Sequence, residues 1–306
     1  MFTYLLFFLL LINPVSDNGD LTITHDGETI ETVERSEFSH PFLGAPTLDL
    51  ATFDELIERI DEQVYQEPVN AFIDDTNSIQ SGENGYKLNR KLFTELFYEY
   101  AYSHGPATIE APKLTIYPKV DSELLANIRI QKIGQYVTFF NNRKKGRTHN
   151  IKLALAAIDN HVVFPGETFS FNKVVGKRTP EKGYLPAPVI IRGKLFEGIG
   201  GGICQVSSTL FNAVDDAGVE IIQRYSHSKR VPYVPPGRDA TVSWYGPDFV
   251  FKNNYNQPIL IRAKAIGGMV QIIVYSSERI NRDTSLHPTM KHTHNKQKQR
   301  VSETRI

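Results

Sequence analysis

The chain of 306 residues contains one cysteine, one tryptophan and three methionines. A single thiol excludes any internal disulfide, and with it a disulfide-stapled fold. It also excludes a cysteine-rich metal site. The histidines are scattered at no ligand spacing, so no metal centre and no cofactor is expected. Lys and Arg total 34 and Asp and Glu total 34. That balance offers no basic field to attract nucleic acid, and no nucleic-acid partner is expected. There is no phosphate loop: the glycines of GIGGG stand too close together and no G-K-[ST] follows them. No G-x-S-x-G elbow surrounds Ser207 or Ser208. No apolar run reaches the roughly 20 residues of a membrane-spanning helix. The run FTYLLFFLLLI within Met1 to Ile12 instead has the length of a signal-peptide core, although no Lys or Arg precedes it and no A-x-A follows. Residues 1–16 are read as a signal peptide or membrane anchor, which places the rest on the extracellular face of the cell envelope.

With 41% apolar and 22% charged residues, the chain can build a real core. Residues 17–44 read as a strand and a linker. Residues 45–127 read as a small α+β domain. Leu56, Ile57, Ile60 and Val64 recur at helical spacing there, with Thr52 as N-cap and Glu55 completing a capping box. A second helix is expected over Leu88 to Tyr102, with Leu92, Leu96 and Tyr100 on its inner stripe. Residues 128–276 read as a second domain of mixed, mostly antiparallel β-sheet, so the fold class is α+β. Its expected strands include Gln135 to Phe140, Val219 to Tyr225, Ala240 to Trp244, Asp248 to Lys252 and the pair Pro258–Ala265 and Met269–Tyr275, joined by Ile266-Gly267-Gly268. Its expected helices cover Asn150 to Ile158 and the segment that starts near Cys204. Residues 277–306 are basic and nearly free of apolar side chains, as in a disordered tail.

Cys204 carries the chemical signal. It follows Gly198, Gly200, Gly201 and Gly202, and the residues after it are amphipathic, with Val206, Leu210, Ala213, Val214 and Ala217 on one face and Ser207, Ser208 and Asn212 elsewhere. A thiol at a helix N-terminus meets free N–H groups and the positive end of the dipole, which favour the thiolate. N–H groups around Gly201, Gly202, Ile203 and Gln205 can hold an oxyanion or substrate. The bland alternative is a buried cysteine that packs as a small hydrophobe. A nucleophile needs a base, and His227, where a strand meets a loop, is the leading candidate. His149 and His161 read as capping, surface or turn residues. Asp239 can orient an imidazole or pair with an arginine. Arg238 and Lys229 can bind a substrate carboxylate.

From about Tyr136 to Tyr275 the chain resembles the VanW family. The matching stretches are HNIKLALAAIDNHVVFPGETFSFNKVVGKRTPEKGYLPAPVIIRGK, GIGGGICQVSSTLFNAV, HSKRVPYVPPGRDATVSW and DFVFKNNYNQPILI. The upstream domain looks like the peptidoglycan-binding domain that often precedes VanW domains. The resemblance implies a cell-wall setting, a link to glycopeptide resistance, and peptidoglycan stem peptides as partner. It also implies an L,D-transpeptidase-like activity, as ascribed to some members, with Cys204 as the nucleophile of the GGG-x-C-Q motif. A non-catalytic peptidoglycan-binding protein and a cysteine peptidase remain alternative readings.

Overall fold

Met269–Ser276 buries every second residue, the period of a strand with one face on a core. It lies at the centre of a four-stranded antiparallel sheet in the computed structural model, which describes residues 19–42, 45–191 and 194–281. The N-terminal apolar run, Arg192-Gly193 and the tail beyond 281 lie outside the described residues. Among the described residues no helix is long and apolar enough to cross a membrane. The chain divides into two compact units. One comprises the described part of Met1–Asn70 with Gly82–Lys119, and the other Ala71–Ser81 with the residues from Val120 onward.

In the first unit, Leu21–His25 pairs antiparallel with Glu28–Val33 and parallel with Ala107–Glu110. Residues expected as strand and linker thus contribute two strands to this unit's sheet. Helices α1 (Leu50–Val64) and α2 (Arg90–Ala101) supply much of its core, with Phe53, Leu56, Ile60, Phe93 and Phe97 fully or almost fully buried. The cap of α1 is Asp49 rather than Thr52. Its carboxylate accepts from the backbone N–H groups of Ala51 and Thr52 at 3.0 and 3.3 Å, and Thr52 lies inside the helix. An ionised acceptor at the N-terminus also complements the helix dipole, so it outcompetes a hydroxyl three residues later. The inner stripe of α2 is Phe93, Phe97 and Tyr100, while Leu92 is exposed. The sequence LFTELFYEY offers two apolar stripes, and the one with the larger aromatic area faces inward.

In the second unit, the four-stranded sheet runs Gln131–Phe139, Met269–Ser276, Ile259–Ile266, Val162–Val163. Helix α3 (Ser122–Ile128) packs with Ile73, Leu260 and Tyr275. Helices α4 (Lys145–Ile158) and α6 (Ile203–Asp216) cover the sheet with the core of Ile151, Leu155, Val206, Leu210, Val214, Ile261 and Ile272. Gly134 sets how closely α6 approaches: a Cβ there would lie 2.3 Å from the Ala213 carbonyl oxygen. Helix α4 begins five residues earlier than expected, absorbing part of the basic segment 142–149. A short helix, α5 (Phe171–Val175), follows the strand Thr168–Ser170. That strand pairs with Val250–Lys252, which pairs in turn with Glu220–Gln223. Gly218, at φ +78°, follows the end of α6 in the left-handed conformation that closes many helices.

Candidate active site

The strand Lys194–Ile199 turns into α6 through Gly200-Gly201-Gly202. Gly200 and Gly202 have φ of +83° and +113°, a region that other residues enter only at a cost. A Cβ on Gly201 would lie 2.5 Å from the Ala187 carbonyl oxygen. The turn therefore needs glycine for its torsions and for its close packing. It presents Cys204 in the first turn of α6, half-buried and unpaired. Gly202 gives α6 no side-chain cap. Among the described residues, the backbone N–H groups of Gly202 and Cys204 have no acceptor within the protein, and that of Ile203 reaches the Gly200 carbonyl only at 3.4 Å. The N–H of Gln205 donates to Gly202 at 3.0 Å. Donors for an oxyanion therefore remain at Gly202, Ile203 and Cys204.

Helix α6 is not amphipathic in place. Ser207, Ser208 and Asn212, expected to point away from the core, are all fully buried, as is Thr209. Each offsets the cost of burial with hydrogen bonds. Ser207 donates to the Ala240 carbonyl at 2.6 Å, and the Ala240 N–H donates to Ser208 Oγ at 2.9 Å. Asn212 donates to the Arg238 carbonyl at 2.7 Å and accepts from Arg238 Nε at 2.6 Å. The polar face of the helix thus grips the backbone on both sides of Asp239. Ala240 to Trp244, expected as a strand, forms no ladder: α6 serines take both backbone groups of Ala240, and the Thr241 and Ser243 N–H groups donate to the Tyr225 and Pro247 carbonyls, each at 2.8 Å. This short-range signal of β-rich residues was overridden by a partner distant in sequence.

Asp239 then holds His227. One oxygen, Oδ2, accepts from both the backbone N–H and ring Nδ1 of His227, each at 2.6 Å, and both side chains are more than nine-tenths buried. With Nδ1 committed to Asp239, Nε2 is the ring atom left for the thiol. His227 and Cys204 lie close enough for each to shift the other's titration, and the sulfur lies 3.5 Å from the Val242 carbonyl oxygen and 3.9 Å from Thr241 Oγ1. The sulfur thus has polar neighbours, while Cys204 also packs against the hydrophobic core of this unit.

The electrostatics are mutually supporting. Burial pushes the Cys204 thiol up, but hydrogen bonds from His227 and the Val242 backbone, with the imidazolium charge, outweigh it and hold the thiol below its ordinary value. Burial pushes His227 down, while hydrogen bonds and charge from Cys204 and Asp239 lift it above its ordinary value. Burial raises Asp239, but its bonds to the His227 backbone and ring leave it below the usual carboxylate range. A lowered thiol beside a raised imidazole moves both groups toward a thiolate–imidazolium pair.

The structure brings Cys204, His227 and Asp239 together with Gly202 and Ile203, and gives two other expected residues different work. Gln205, expected as a substrate or oxyanion contact, is fully buried. It donates to Thr138 Oγ1 and the Phe139 carbonyl, each at 3.0 Å, and accepts from Arg147 at 2.7 Å. Its side chain anchors α6 to the sheet. Arg238, expected to steer a carboxylate, is bound to Asp215 at 2.7 Å and Asn212 and lies over the Phe211 ring. Lys229 is exposed in the loop beyond His227. His149 bonds the Gly183 carbonyl at 2.9 Å, and His161 meets the edge of Phe169. Sequence reasoning missed Arg147, Arg178 and Tyr233, whose charges are all felt by or from Cys204. Arg147 lies in a basic segment and Arg178 in a Gly- and Pro-rich loop, and no local pattern distinguishes them from solvated cations.

A family model described as VanW like protein matches residues 146–275. The chain is 60% identical over 272 residues to YoaR of Bacillus subtilis (strain 168), described as uncharacterized, covering 89% of this chain and 90% of that protein. It is 32% identical over 116 residues to the vancomycin B-type resistance protein VanW of Enterococcus faecalis (strain ATCC 700802 / V583), covering 36% of this chain and 42% of that protein. No solved structure matches the chain with statistical significance.

Proposed function

The chain belongs to the VanW family, and from that premise we propose that it is an exported cell-wall protein that transfers acyl groups between peptidoglycan stem peptides. The observation that carries this reading is the grouping of Cys204, His227 and Asp239 at the N-terminus of α6. Thiolate, imidazole and orienting carboxylate are the parts of a nucleophilic acyl-transfer site.

In this reading the Cys204 thiolate attacks the carbonyl carbon that precedes the terminal D-residue of a donor stem. A C–S bond forms, and N–H groups of Gly202, Ile203 and Cys204 receive the oxyanion. The C–N bond breaks, and His227 gives its proton to the departing amine. An amine of a second stem then attacks the thioester, His227 takes its proton, and the C–S bond breaks to restore the thiolate and leave a crosslink. Asp239 keeps the imidazole oriented throughout. The first unit serves to hold the protein on the wall. Incubation with muropeptides and mass analysis of the products tests the reading. Crosslinked dimers that vanish with Cys204→Ala support transfer. Shortened monomers alone replace it with hydrolysis, and products made equally by Cys204→Ala rule out a cysteine enzyme.

A further inference from the structure

Two cations flank the glycine turn that delivers Cys204. A Cβ on Gly200 would lie 3.1 Å from Arg178 Cβ, and one on Gly202 would lie 3.1 Å from Arg147 Cγ. The two side chains therefore lie against the turn on either side of Gly201. Arg147 gives one Nη2 contact to Gln205 Oε1 at 2.7 Å. Arg178 gives Nη1 to Asn172 Oδ1 at 2.7 Å and to the Gly176 carbonyl at 3.3 Å, and its guanidinium lies 5.7 Å from the Phe171 ring centre. Its other terminal nitrogen, Nη2, is buried with no hydrogen-bond partner. Among the described residues neither guanidinium is in an ion pair. Asp248, whose charge reaches Arg178, is already taken by the Ser170 hydroxyl and the Asn172 and Phe249 backbone N–H groups.

Both arginines are half-buried, and a guanidinium partly withdrawn from water without an anion carries a cost that an anionic ligand offsets. Burial depresses both arginines, and the Cys204 charge opposes that depression, so both lie within the electrostatic reach of the thiol. The planar fork of arginine suits a carboxylate in particular.

We propose that Arg147 and Arg178 form a clamp for the C-terminal carboxylate of the donor peptide, one residue beyond the carbonyl that Cys204 attacks. One residue of extended chain spans about 3.5 Å, so a group recognised there must lie beside the thiol, where these two side chains are. The clamp would restrict cleavage to the last peptide bond of a donor, and it replaces Arg238 as the carboxylate reader. It rests on the acyl-transfer reading for its substrate, but its test does not depend on turnover.

The test is binding by calorimetry to the full chain carrying Cys204→Ala, using a stem tetrapeptide and the same peptide with a C-terminal amide. Removing the thiolate first means that an arginine serving only the thiolate has no effect. The acid is expected to bind about tenfold or more tighter than the amide, the scale of a charge-assisted hydrogen bond. Arg178→Gln and Arg147→Gln should each abolish most of that preference while amide binding holds, and Arg178→Lys should retain part of it. Thermal melting of each variant identifies any that fails to fold, and the remaining variants then decide. Equal affinity for acid and amide, a preference that survives both Gln variants, or equal loss of both peptides in a folded variant overturns the clamp. A native protein that forms no acyl adduct, yet whose Cys204→Ala form prefers the acid, refutes the transferase reading and leaves the clamp standing.

Discussion

Asp239→Asn changes one atom of a side chain and should move the reactivity of a thiol two residues along a relay. Asp239 Oδ2 accepts two bonds of 2.6 Å from His227. The carboxylate charge is part of what lifts His227, and the imidazolium is part of what lowers Cys204. A hydrogen bond to a charged group is worth about 1.5–3 kcal/mol, which is about one to two pKa units at 1.36 kcal/mol per unit. An amide keeps one acceptor and most of the shape but loses the charge. Without it the imidazolium gives up its proton at lower pH, and the thiolate loses its counter-ion. The alkylation midpoint of Cys204 should therefore move up by about one unit. The assay is the rate of iodoacetamide labelling against pH, followed by intact mass. It reports a single site, because the chain has one cysteine. A labelling profile identical to that of the native protein would refute the relay from Asp239 through His227 to Cys204.

Asn212→Ala removes two bonds to Arg238 and strands a buried carbonyl, so it should cost about 2–3 kcal/mol in denaturant unfolding and slow Cys204 labelling. Unchanged labelling would mean that α6 does not place the Asp239 loop. Gly201→Ala puts a methyl 2.5 Å from the Ala187 carbonyl oxygen and should cost about 1–3 kcal/mol by overpacking, read as a lower denaturation midpoint; a midpoint equal to the native one would contradict the close turn. Asp239 has a depressed folded value, so its contribution to stability is complete above about pH 3.9 and lost as pH falls through that lower value. His227 has a raised folded value, so its contribution is complete below about pH 6.5 and lost as pH rises through the higher one. Asp239→Asn should flatten the acid limb of a melting-temperature profile, and an unchanged limb would argue against the pairing.

Periodicity made the elements legible and left their partners hidden. The pair Ile259–Ile266 and Met269–Ser276 is local: its turn glycines and alternation lie in one stretch, and its expected bounds differ by a residue at each outer end. The antiparallel α+β class follows from the same local signals. Helix α6 shows the limit. Its starting point was readable, but its serines and asparagine looked like a solvated face. Nothing local tells a wet serine from one bonded to a backbone over thirty residues away. The strand expected over Ala240 to Trp244 was lost to such partners too, to α6 serines at Ala240 and to the Tyr225 and Pro247 carbonyls beyond it. Asp49 lost to Thr52 in the sequence reading because the capping-box pattern is read from hydroxyls, while the carboxylate just ahead of it is the stronger cap. At the site, Cys204 is marked by its glycines, and His227 and Asp239 by loops with room for chemistry. Arg147 and Arg178 carry no such mark, because what sets them apart is partial burial without an anion, a property of packing alone.

The measurement closest to the central proposal is the intact mass of the protein after incubation with a stem tetrapeptide. A mass gain equal to the donor acyl group, mapped to Cys204, released by hydroxylamine and absent from Cys204→Ala, is the predicted result. No adduct under conditions where the native protein binds the peptide, or an equal adduct on Cys204→Ala, would contradict it.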